Sequence, residues 1–128
     1  MNTKLLMASG ALFLAALGLA GTFLPQEIAV RAGADAHGLI PLLIQLLGAL
    51  YLGFAMLDWM AKESVIGGIY ARPLSVGNLV HFTVGALALG KGVLAGQRAT
   101  SVLVLAALYA LFAIAFATVV FGSPKRAT

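Results

Sequence analysis

Four polar side chains lie inside or at the edge of apolar surroundings, and they are the residues whose chemistry could matter: Asp58, Arg72, Asn78 and His81. An ionisable group in hydrocarbon is costly, so it faces the protein interior and has a partner. Asn78 and His81 are three residues apart, which puts them on one face of a helix. Asp58 comes within a turn of the end of one apolar run, and Arg72, Asn78 and His81 stand at or just inside the start of the next. Antiparallel helices sharing that loop would hold all four at similar depth. In a functional arrangement His81 is the proton-titrating member, because imidazole gains and loses a proton near neutral pH. Asp58 is then its anionic partner and Asn78 a hydrogen-bonding one. Such a site suits a proton-linked carrier, or the head of a quinone or lipid. In a structural arrangement Asp58 pairs with Arg72 or Lys62 at the interface, while His81 and Asn78 cross-link helices. Substitution of His81, with folding measured separately, distinguishes the two.

Other polar residues offer less. Gln45 is a single neutral amide in an apolar run and is expected to bond a neighbouring helix. Glu27, Asp35 and His37 are metal-ligand types, but one histidine in a polar loop is a poor site, and no metal or other cofactor is expected. Lys91 can reach the interface along its aliphatic stem. Gly67–Gly68 lacks the strand, lysine and helix of a phosphate loop. No serine–histidine–acid set and no pair of histidines suited to haem is present, so no catalytic residue is assigned.

The elements that must position these residues are four apolar runs. A bilayer core of roughly 30 Å takes about 20 helical residues. Leu5–Leu24 carries no charge, Leu39–Met60 is interrupted by Gln45 and Asp58, Leu74–Leu94 contains Asn78, His81 and Lys91, and Thr100–Phe121 is again uncharged. All four prolines fall at ends of these runs: Pro25 closes the first, Pro41 is in the first turn of the second, Pro73 opens the third and Pro124 follows the fourth. Proline breaks a helix interior but fits a first turn. The expected fold is therefore all-α, a single transmembrane domain over residues 1–128. It is a four-helix bundle with short loops and helices near 5–24, 39–60, 74–94 and 100–121. A cleaved secretory signal built from Lys4, the Leu5–Leu17 stretch, Gly18 and Ala20 is the rival for the N-terminus. The run continues to Leu24 and three more follow, which favours a retained helix.

Composition supports a membrane class. Of 128 residues, 62% are hydrophobic and only 9% charged, and the mean hydropathy is +1.04. A soluble domain carries roughly 25% charged residues. There is no cysteine, which removes disulfides and thiolate sites from consideration. The net charge of +4 is spread singly between apolar runs, which reads as topology rather than as a nucleic-acid stripe. One side would carry Lys4, Lys62, Arg72, Lys125 and Arg126, the other Arg31, Lys91 and Arg98. Both termini are accordingly expected in the cytoplasm of a cell-membrane protein, with Trp59 and Tyr70 at the same interface. Gln26–Gly38 is expected to be the longest polar loop, the VIGGIY stretch an interfacial piece, and the region around Gly96 a tight turn.

Helices in lipid associate through small residues and hydrogen bonds. Asn78, His81, Gly85, Ala88, Gly92 and Gly96 form one stripe at helical period in the third run. Ala106, Ala110, Ala113 and Ala117 form another in the fourth, and Gly48, Tyr51, Ala55 and Asp58 a third in the second. These faces serve a bundle or a homo-oligomer. The first and fourth runs read as framework, so chemistry is expected between the second and third.

The FLPQE exit of the first run, LLGALYLGFAMLDW in the second and IGGIYARPLSVGNLVHF leading into the third resemble the small bacterial DoxX-like membrane proteins and related four-helix families. The resemblance spans most of the chain and implies a four-helix fold in the bacterial inner membrane. Some such proteins are associated with quinone-linked oxidoreductases or stress-response complexes, and many have no assigned role. No catalytic motif carries over. Small multidrug transporters differ in having a glutamate within the first helix, which Leu5–Leu24 lacks. The expected role is a non-catalytic accessory or scaffold subunit. Its partners would be the lipid bilayer, a second copy or a larger membrane complex. A proton-linked transporter or a quinone- or lipid-binding protein is the alternative.

Overall fold

The computed structural model describes residues 2–63 and 72–122. The expectations for Gly67–Gly68, Tyr70, Pro124, Lys125 and Arg126 lie outside the described residues. Among the described residues five helices follow one another: α1 (Thr3–Phe23), α2 (Pro25–Arg31), α3 (Leu39–Ala61), α4 (Arg72–Leu94) and α5 (Thr100–Phe121). α1, α3, α4 and α5 are long and apolar enough to cross a membrane. At about 1.5 Å per residue they span roughly 31–35 Å, close to a hydrocarbon core. They correspond to the four apolar runs, within two residues at every end.

α2 departs from the sequence expectation. The segment Gln26–Gly38, expected as loop, begins with two helical turns. Pro25 has no N–H to continue the α1 ladder, so the chain kinks at Leu24 (φ −124°, ψ 39°) and Pro25 becomes the first residue of the new helix. Pro25 and Ala29 are buried, while Gln26, Glu27 and Arg31 are exposed. The polar composition that suggested a loop is thus the outer face of a short helix.

Two helices end in the same way. Gly33 (φ +82°) and Gly96 (φ +111°) are the described residues with positive φ. After α2, the Ala34 N–H donates to the Ala29 carbonyl and the Gly33 N–H to Val30. After α4, the Gln97 N–H donates to Gly92 and the Gly96 N–H to Val93. These paired bonds satisfy carbonyls left open at the last turn, and a left-handed residue is needed to form them. The tight turn expected around Gly96 is present.

Two compact units divide the chain, Met1–Glu63 and Ser64–Thr128. In the first, α1 packs along α3 and α2 covers part of α3. Leu6, Met7, Gly10, Ala11, Leu14, Gly18 and Gly21 form the buried line of α1. The two backbones meet at Gly48, where an added Cβ would lie 2.8 Å from the Thr22 nitrogen and 2.9 Å from the Gly18 oxygen. Gln45 Nε2 donates to the Thr22 carbonyl at 3.3 Å, supplying a partner in a helix's last turn, where carbonyls lack intrahelical donors. The helix-to-helix bond expected of Gln45 is this one. At the opposite end, Asn2 caps α1 by accepting from the Leu5 N–H at 3.3 Å, and Lys4 pairs with Glu63 at 2.7 Å.

In the second unit α4 packs along α5. Ser75, Asn78 and Phe82 are the buried positions of α4, and Tyr109 and Phe116 those of α5. Ala106, Ala110, Ala113 and Ala117 are half-buried beside the Tyr109–Phe116 line, Gly85 meets Tyr109, and Ala88 is exposed. Large apolar side chains point outward on every long helix, among them Leu12, Leu50, Leu57, Val84, Leu87 and Leu111.

Candidate functional site

The polar chemistry of the second unit is concentrated where α4 meets α5. Gly85 has no side chain, so the ring of Tyr109 lies against the α4 backbone; a Cβ there would come within 2.5 Å of Tyr109 Cδ1. Seated so, the Tyr109 hydroxyl comes within 3.2 Å of His81 Nε2, one helical turn along. A buried tyrosine needs a partner for its hydroxyl, and Tyr109 is almost completely buried. The hydroxyl donates when Nε2 is the bare nitrogen, and Nε2–H donates to the phenol oxygen in the other tautomer.

Phenylalanines hold this pair in place. Phe82 is fully buried and stacks on Phe112, with ring centres 4.8 Å apart and 20° between planes. It stacks also on Phe116, at 5.7 Å and 10°. Its ring meets Tyr109 edge-on at 5.2 Å and His81 edge-on at 5.0 Å. Edge-to-face contacts set the electropositive rim of one ring against the electron-rich face of another. His81 is half-buried, with Phe82 and Tyr109 against its imidazole.

The four residues singled out from sequence are distributed as follows. Asn78 is fully buried on α4, and its Nδ2 donates to the Leu74 carbonyl at 3.1 Å. His81 follows on the same helix. Arg72 is the exposed first residue of α4, and its carbonyl accepts from the buried Ser75 hydroxyl at 3.0 Å. Asp58 is fully buried on α3, in the first unit. His81 also has a hydrogen-bond partner on the fourth apolar run, Tyr109, where the expected site drew on the second and third. Tyr109, Phe112 and Phe116 recur at i, i+3 and i+7, which is the spacing of one helix face. Tyr109 also carries a phenolic hydroxyl within an uncharged run, and that signal could have marked it.

Arranged in this way, an imidazole and a phenol can pass a proton between them or present one polar edge to a ligand head. Among the described residues no three histidine, aspartate or glutamate side chains gather to hold a metal ion. No family model matches the chain, and no curated protein and no solved structure matches it.

Proposed function

We propose that this chain is a multi-pass protein of a cell membrane, a four-span helical bundle acting as a non-catalytic accessory or scaffold subunit. The observation that carries the proposal is that four polar side chains within the long helices bond back to their own helix. Ser9 donates to Leu6, Ser75 to Arg72, Asn78 to Leu74 and Thr118 to Ala115, each to a carbonyl of its own helix. Hydroxyls and amides bonded back to their own turn are removed from the lipid and leave apolar surfaces for packing. The five cations assigned to one side against three on the other support a topology with both termini in the cytoplasm. A DoxX-like affiliation in a bacterial inner membrane fits this reading and rests on the FLPQE, LLGALYLGFAMLDW and IGGIYARPLSVGNLVHF stretches. Purification in mild detergent after alkaline carbonate washing is the test. The chain should stay with the membrane pellet and elute with a stoichiometric protein partner or a second copy. Release into the wash sinks the membrane assignment, and a lone monomer sinks the scaffold assignment.

The His81–Tyr109 bond favours a second reading, a proton-linked transporter or a quinone- or lipid-binding protein. A quinone retained through purification and lost in Tyr109→Phe would establish binding. Proton-coupled uptake that fails to appear in liposomes counts against transport.

A further inference from the structure

An apolar groove of about 240 Å³ runs along the first unit between α1 and α3, lined by Ala11, Ala15, Leu52, Ala55, Met56 and Trp59 among others. Its floor is made by small residues, Ala11 and Ala55 being buried. One end is marked by Trp59, which is 45% exposed. Lys62 sits over that ring with its ammonium 3.8 Å from the centroid, and donates to the Trp59 carbonyl at 3.3 Å. These contacts fix the cation at the groove mouth instead of leaving it free on a long stem. Nearby, Lys4 and Glu63 neutralise each other across 2.7 Å, and Asp58 is fully buried. Among the described residues of the first unit, Lys62 is thus the cation at this end that sits against the groove, while Lys4 is engaged with Glu63.

We infer that the groove binds one anionic phospholipid, with an acyl chain along the alanine floor and the phosphate at Lys62. The shape takes a chain because alanines on both helices leave a channel where larger side chains would close it. The charge selects the head, since a lysine near the headgroups attracts an anionic lipid, and an indole settles at that depth. The inference rests on the membrane assignment above.

Trp59 is the only tryptophan of the chain, so its fluorescence reports on this site alone. The full-length protein is reconstituted into phosphatidylcholine vesicles doped with a small fraction of phospholipid brominated near the carbonyl end of its chains. The dopant is either phosphatidylglycerol or phosphatidylcholine. Brominated phosphatidylglycerol should occupy the site about fivefold more readily at equal mole fraction, the preference one lysine gives, and the preference should shrink as salt is raised. Lys62→Gln should abolish it, Lys62→Arg should keep it, and Ala15→Leu should lower quenching by the anionic lipid to the level of the zwitterionic one. Circular dichroism verifies that each variant remains helical. Equal quenching by both lipids, or a preference that survives Lys62→Gln, overturns the inference while leaving the membrane assignment intact. Quenching by neither overturns both.

Discussion

Replacing Gly48 by alanine tests the packing of the first unit at its tightest point. The new Cβ would meet the Thr22 nitrogen at 2.8 Å and the Gly18 oxygen and Gly21 carbonyl carbon at 2.9 Å, about 0.6 Å inside the 3.4 Å where ordinary contact begins. All three atoms belong to the α1 backbone, so no rotamer change relieves the clash. α1 and α3 must separate, and the buried line of α1 from Leu6 to Gly21 loses contact with α3. Overpacking of this kind costs about 1–3 kcal/mol. Gly53 is on the same helix with nothing within 4 Å. Gly53→Ala should be neutral or stabilise by up to about 1 kcal/mol through helix propensity. Unfolding of both variants in mixed micelles, followed by circular dichroism, compares them directly. Equal stability of the two variants would refute the close backbone contact.

Tyr109→Phe keeps the ring in its Gly85 recess and removes the bond to His81, so it should cost about 0.5–1.5 kcal/mol in the same unfolding assay. Phe82→Ala dismantles the stack on Phe112 and Phe116 and should cost about 3–5 kcal/mol. Gly96→Ala forces an L side chain to adopt φ +111° and should destabilise by about 1–2 kcal/mol, with the loss read as a lower melting temperature. The Lys4 ammonium beside Glu63 holds that carboxyl below its ordinary 4.5. Because the folded value is the lower one, the pair stabilises above the ordinary value and this contribution fades as pH falls through the lowered one. Stability of wild type relative to Lys4→Gln, measured across pH 3–7, should therefore narrow at the acid end.

The lengths and ends of the long helices were legible because two independent signals coincide there, hydropathy and proline. Helix faces were harder to read. In lipid the outward and inward sides of a helix are both apolar, so Val80 and Val84, which are exposed, resemble Phe82, which is fully buried. Small-residue spacing partly substituted for that missing contrast. It selected Gly85 and Gly48, which do make close contacts, together with Ala88, which is exposed. The Gly10–Leu14–Gly18–Gly21 line of α1 is hidden in the sequence because no polar residue on it breaks the apolar run. His81 announced itself by residue type. Its partner did not, since a tyrosine in an uncharged run can be taken for packing, and its pairing depends on the missing side chain at Gly85.

The division into two helical units has a consequence for timing during synthesis. α4 and α5 are joined by five residues, so bringing them together closes a very short loop at little entropic cost. α1 and α3 likewise belong to one stretch, Met1–Glu63, and every partner in the Gly18–Gly21–Gly48 contact exists before α4 has been made. Contacts local in sequence form quickly. Under the membrane assignment proposed above, entry into a bilayer can then proceed by hairpins, each pair of helices covering its own close-packed face on arrival.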